Sequence, residues 1–170
     1  MALIHPDTKD YSLYSVNTTS AGILATTALS KMYTVLGLKW TSANPSPIIE
    51  LNRLSLAVTA AAAPVPFLWE IRLSPTVSGT FAYTALTPAA LTYALGDFTT
   101  AIESATTTTG ATGTLLYSGY SNGVINIDIP NRIKLGSTVN AMSDTIVISV
   151  ATLTASSKAY GSLTWKEYVN

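Results

Sequence analysis

At 170 residues the chain is long enough for one domain with a full hydrophobic core. Only 11% of its residues are charged while 48% are hydrophobic, and nine Lys and Arg balance nine Asp and Glu. The balance excludes the basic face that a nucleic-acid binder needs, and the lack of cysteine excludes disulfides, thiolate chemistry and cysteine-type zinc sites.

In chain order, residues 1–15 read as an N-terminal arm, in which Tyr11 to Val16 is able to form a first short strand, and residues 16–170 as a single β-sandwich domain. The start lacks the basic n-region and apolar run of a signal peptide, and the longest apolar patch, Val58 to Leu68, is broken by Thr59, Pro64 and Pro66. A protein made in the cytoplasm, with no membrane partner, is expected. Lys31 to Trp40 alternates, with Met32, Thr34, Leu36, Leu38 and Trp40 against Tyr33, Val35, Gly37 and Lys39. Asn44-Pro45-Ser46-Pro47 is a loop, because two prolines cannot continue a ladder. Ile48 to Thr59 restarts the alternation, with Leu54, Leu56 and Val58 facing one way and Arg53, Ser55 and Ala57 the other.

The strongest strand signal is Pro66 to Leu73. Phe67, Trp69, Ile71 and Leu73 share one face, and Leu68, Glu70 and Arg72 the other, where Glu70 and Arg72 are spaced to pair. Thr80 to Leu86 and Ala90 to Leu95 are weaker apolar runs around Pro88; Pro88 to Leu95 is open to a helical turn, with strand the favoured reading. Gly96 to Gly113, which contains the Thr106 to Thr109 run, is read as an exposed loop. Thr114 to Tyr120 is a strand ending in the turn Ser121-Asn122-Gly123, read as a hairpin into Val124 to Ile129. Arg132 to Leu135 is a brief extended piece, and Thr145 to Leu153 is apolar on both faces, as for a strand in mid-sheet or at an interface. Ser156 to Gly161 turns the chain into a closing strand from Ser162 to Val169. About eight to ten short strands without a helix, punctuated by regular turns, define an antiparallel β-sandwich or barrel.

No residue earns a catalytic, cofactor-binding or metal-ligating assignment. Gly119-Tyr120-Ser121-Asn122-Gly123 matches the hydrolase elbow G-x-S-x-G, yet a strand rather than a helix follows and the only histidine, His5, lies far upstream. His5-Pro6-Asp7 has the tripeptide of J-domain co-chaperones without the preceding basic helix. Asp97, Glu103, Asp128 and Asp144 are calcium-capable oxygens without EF-hand spacing. Glu50 and Glu70 are glycosidase-type carboxylates only if the fold sets them across a cleft. Trp40, Trp69 and Trp165, with Tyr120, are of the type that stacks on sugars, but each tryptophan sits in an alternating strand where a core role is expected. Asn17-Thr18-Thr19 is a glycosylation sequon that matters only after secretion.

A set of short segments carries a resemblance. These are Asn52 to Leu56, Pro66 to Thr80, Gly113 to Tyr120, Leu135 to Ser137, Asp144 to Ile148 and Gly161 to Tyr168. In this order and spacing, across roughly residues 50–169, the chain resembles a family of small tailed-bacteriophage virion proteins. The resemblance implies a jelly-roll-like sandwich with no enzymatic activity, cofactor or metal. The implied role is an oligomeric decoration or cement protein of the phage head, or else a fibre or tail accessory. Its expected partners are copies of itself, as a homotrimer or homodimer, and the major capsid protein or other virion proteins. Low charge fits such a role, since a subunit of this kind works by presenting surfaces to neighbours.

Overall fold

The computed structural model describes residues 11–25, 31–41, 48–79, 81–87, 89, 91–96, 101–102, 112–129, 132–135 and 144–168. Of these, 74% lie in strands and none in a helix. The strands are β1 (Tyr11–Asn17), β2 (Ile23–Ala25), β3 (Met32–Trp40), β4 (Ile48–Ala60), β5 (Ala63–Pro64), β6 (Pro66–Leu73), β7 (Val77–Ser78) and β8 (Thr84–Ala85), then β9 (Leu91–Leu95), β10 (Ala101–Ile102), β11 (Thr114–Asn122), β12 (Val124–Asp128), β13 (Arg132–Lys134), β14 (Thr145–Thr152) and β15 (Ser157–Tyr168).

They form two antiparallel sheets, so the all-β class expected from the sequence holds. The first sheet is built on β4 and β15, paired from Thr59 and Lys158 to Ile48 and Tyr168. β15 carries β1 and β2 on its other side, and β4 carries β5, β12 and β13. The second sheet runs β11-β6-β14-β3, with β9 and β10 pairing β3, β8 pairing β9, and β7 pairing β10.

Alternation explains most of this. In β6, Phe67, Trp69 and Ile71 enter the main core, as their period of two requires. The inward row of β15 runs from small to large, Ala159 and Gly161 and then Leu163 and Trp165. Gly161 is a point of close approach between the sheets, since a Cβ there would meet Val35, Leu36 and Leu56 side chains at 2.8–3.2 Å. Gly119 has a comparable duty: a Cβ would stand 2.8 Å from the Trp69 indole.

Single inserted residues break the alternation in three places. In β4 the register steps from Arg53 opposite Thr164 to Leu51 opposite Trp165, leaving Asn52 extra; inward residues are Ile49 and Leu51 before it and Leu54, Leu56 and Val58 after. In β3 the step from Leu36 to Thr34 leaves Val35 extra. Val35 and Leu36 therefore both enter the main core, and Met32 joins Val147 and Ala151 on the opposite face. This corrects the simple alternation read for Lys31 to Trp40, in which Met32 shared a face with Leu36 and Val35 opposed it. In β11, Leu116 is the extra residue.

Other boundaries also move. Residues 11–15, read as part of the arm, run in β1 in register with Lys166 to Tyr168 and Thr164 to Trp165 of β15, because the β15 edge offers them a ladder; residues 1–10, with His5, lie outside the described residues. So do the Asn44 to Pro47 loop, the Thr106 to Thr109 run, Asp97 and Glu103, but within Gly96 to Gly113, read whole as an exposed loop, Ala101 and Ile102 form β10, because the ladder between β3 and β7 takes them in. The Ser121-Asn122-Gly123 stretch does turn the chain, with Gly123 at φ 111°, but it makes no hairpin. β11 pairs β6 and β12 pairs β4, so this turn carries the chain from the second sheet to the first. The turn before the last strand falls at residues 153–156, and β15 starts at Ser157 rather than Ser162. The β4–β5 turn places Ala61 and Ala62 at φ 47° and 65°, a left-handed pair usually given to Asn and Gly.

Candidate functional site

The most developed side-chain cluster lies on the outer face of the first sheet. Ile49 and Leu51 point into the core, so Glu50 between them points out. Pairing then does the rest: Arg132 of β13 stands directly across on one side and Lys166 of β15 on the other. Arg132 Nε donates to Glu50 Oε2 at 3.1 Å and Lys166 Nζ to Oε1 at 3.0 Å, while the Tyr168 hydroxyl donates to Oε2 at 2.9 Å. The cations also lie on rings, Arg132 4.6 Å from the Tyr168 centroid and Lys166 5.0 Å from that of Tyr11, and the two tyrosines sit 5.7 Å apart.

The hydrogen bonds from Lys166 and Tyr168, aided by Arg132, hold the Glu50 carboxyl down at about 2, and Glu50 in turn raises Arg132 and Lys166. A carboxylate so stabilised is a poor base and carries no proton to donate near neutral pH. Its chemistry is that of a fastener, which joins β4, β13 and β15 and leaves cation and tyrosine surface facing solvent.

Glu70 lies elsewhere. It flanks Trp69 and Ile71 on β6, and so faces outward from the second sheet, on the opposite side of the core from Glu50. The two carboxylates do not face each other, and the two-carboxylate glycosidase geometry is absent for this pair. Arg72 Nε donates to Glu70 Oε2 at 2.6 Å, the pair their spacing predicts, and the Arg72 guanidinium reaches the carbonyls of Thr112 and Gly113 at 3.4 Å. Ser121 Oγ donates to the Val124 carbonyl at 2.9 Å, within the turn, and a strand follows it. Asp144 accepts from Ser74 Oγ at 3.1 Å, and Asp128 stands opposite Arg53. Among the described residues no three His, Cys, Asp or Glu cluster as metal ligands, and no helix is long and apolar enough to cross a membrane. Trp40, Trp69 and Trp165 are all buried in the core, whereas Tyr120 is exposed.

Three features escaped the sequence reading. Glu167 is 3% exposed, an interior carboxylate whose Oε1 accepts from Trp165 Nε1 at 3.0 Å and from the Leu91 amide at 3.3 Å, tying the first sheet to β9 of the second. Its parity with Leu163 and Trp165 was the available signal. Phe81 and Tyr83 pack over the second sheet at Gly37, whose missing side chain makes the room, and burial pushes the Tyr83 hydroxyl up. Nothing in their local pattern announces a cover. Lastly, a shallow groove of about 310 Å³ lies on the outer face of the first sheet, lined by Asn17, Thr18, Ser55, Val124, Tyr160 and Ser162 among others. Ser55, Tyr160 and Ser162 bring hydroxyls to it because β4 and β15 carry their polar residues on that face, while most of its accessible surface is apolar.

Compared with known proteins, the sequence matches no protein-family model, and no curated protein matches it. The fold and the side-chain clusters therefore define a class only: an all-β protein of two antiparallel sheets whose polar clusters fasten strands.

Proposed function

We propose that the chain is a non-enzymatic structural protein of a tailed-bacteriophage virion, an oligomeric decoration or cement protein that contacts the capsid surface. The observation that carries this reading is the ordered resemblance of residues 50–169 to small virion proteins. The physical character of the chain supports it: charge is sparse, the developed polar clusters join strands, and tyrosine and leucine side chains stand exposed on flat strand surfaces, with Tyr11, Leu13 and Tyr120 each more than half exposed. The Glu50 site, saturated with donors, serves rigidity. Mass spectrometry of purified virions, followed by re-addition of the purified chain to stripped heads, tests the proposal. The chain is expected in the virion and on the heads; absence from both overturns it.

A fibre or tail accessory that binds glycans is the second reading, favoured by the groove beside Tyr160, whose mostly apolar walls with a few hydroxyls suit the face and edge of a sugar ring. Binding on a glycan array that Tyr160→Ala abolishes would support it over the first, and a blank array would remove it.

A further inference from the structure

We propose that β1 is a dimer interface: the β1 strands of two copies pair antiparallel about a two-fold axis and join their first sheets into one continuous sheet. The proposal extends the self-association included in the virion reading, but it stands on the sheet edge and its test needs no virion.

β1 has β15 on one side and, among the described residues, no strand on the other. The Thr18 amide donates to the carbonyl of Gly161 opposite it, at 2.8 Å. Counting back along an antiparallel ladder, residues 12, 14 and 16 turn their amides and carbonyls toward β15, and residues 11, 13, 15 and 17 turn theirs outward. Such a row of unpaired groups is a template for another strand unless it is blunted by charge, proline or a bulge.

The remaining edges are blunted. β12 and β13 carry Asp128, Arg132 and Lys134, β11 is broken by its bulge at Leu116, and β7 and β8 are two residues each. β2 and β5 are short as well, so among the described edges β1 is the one that is long, regular and uncharged. Tyr-Ser-Leu-Tyr-Ser-Val-Asn holds an unbroken register with β15 across its seven residues.

A second copy fits this edge by symmetry. With Tyr14 placed opposite Tyr14 of the partner subunit, Leu13 meets Ser15 of the partner subunit and Tyr11 meets Asn17 of the partner subunit. Every outward-turned residue then faces another outward-turned residue, so the ladder closes in both directions, and outer faces align with outer faces. No like charges meet. Leu13, 60% exposed in the isolated chain, comes to lie diagonal to Leu13 of the partner subunit, at a separation of about 7–8 Å that leucines span. Pairing of this kind closes with two copies, so it selects the homodimer over the homotrimer.

Sedimentation of the purified chain at micromolar concentration is the test. The expected species has twice the 17.9 kDa chain mass. Ser15→Pro removes only an outward amide, and Leu13→Lys brings two ammonium groups to the axis. Both variants are expected to sediment as monomers with an unchanged circular-dichroism spectrum, while Tyr120→Lys on β11 stays dimeric. Hydrogen exchange of the unaltered chain guards against misfolded variants: the amides of Leu13 and Ser15 are expected to lose protection on dilution while those of Ser12 and Tyr14 keep it. A monomer throughout the micromolar range, or a dimer that survives both folded variants, overturns the proposal. Neither result touches the virion reading, and a virion lacking the chain leaves the dimer standing.

Discussion

On the outer face of the first sheet, Glu50, Arg132, Lys166 and Tyr168 form a network that water reaches, Arg132 being 57% exposed. On the outer face of the second, Val147, Ala151 and Ser149 are fully buried beneath the segment that carries Val77 and Phe81, and Lys39 lies over the Tyr83 ring at 5.4 Å. The difference starts in the strands. β15 alternates apolar and polar residues, so its outward row is content in water; β14 is apolar on both faces, so its outward row needs a cover, and Val77, Phe81 and Tyr83 supply it. The burial is not flawless, for Ser149 Oγ has no hydrogen-bond partner among the described residues. A covered face contributes stability through area removed from water, whereas an open one contributes through polar pairs and keeps its neighbouring edge available to partners.

The sharpest test of the contrast starts beneath both faces. Trp69→Ala empties a core position that Gly119 is shaped around, and is expected to cost about 3–5 kcal/mol in urea unfolding; an unchanged midpoint would mean the strand faces the other way. Phe81→Ala strips the cover of the second sheet. Because Phe81 is only half-buried, the expected cost is about 2–3 kcal/mol, accompanied by faster exchange of the amides flanking Val147; a loss under half a kcal/mol would make the cover incidental.

Glu50→Gln acts on the open face and is expected to cost about 1–2 kcal/mol at pH 7, less than the full depression of the carboxyl implies, because Arg132 reaches Glu50 from solvent. The pH dependence follows from the direction of the shift. Glu50 is lowered from 4.5 to about 2 on folding, so its contribution is in place above the unfolded value and drains away as pH falls toward the folded one. The melting-temperature gap between the unaltered chain and Glu50→Gln should therefore be widest near neutrality and close by about pH 2. A gap that grew on acidification would contradict the network.

Class and inward rows were legible in the sequence, because period-two patterns such as Phe67, Trp69, Ile71 and Leu73 report burial directly. So was the Glu70–Arg72 pair, which depends only on spacing within one strand. What was illegible depends on distant partners. An extra residue at Val35 or Asn52 looks like any other residue until the facing strand is known. The turn at Gly123 shows in Ser-Asn-Gly chemistry, but whether it returns along the same sheet or crosses to the other is decided by β4 and β6, more than fifty residues upstream. The Glu50 cluster draws on β4, β13 and β15 together, so no local window contained it. Glu167 broke the habit of reading a carboxylate as solvent-facing, although its row already said otherwise.

The pairing of β4 with β15 also governs how the chain comes into being. Residues 48–59 find their central partner only when residues 158–168 exist, and β1 waits longer still, since Tyr11 pairs with Tyr168. At about 5–20 residues per second of synthesis, that wait is on the order of ten seconds or more, during which β1 has no native strand beside it and β4 has only β5, β12 and β13. Non-local pairing of this kind folds slowly. The nascent chain therefore depends on its sparse charges and its prolines to keep it from its neighbours until the last strand arrives.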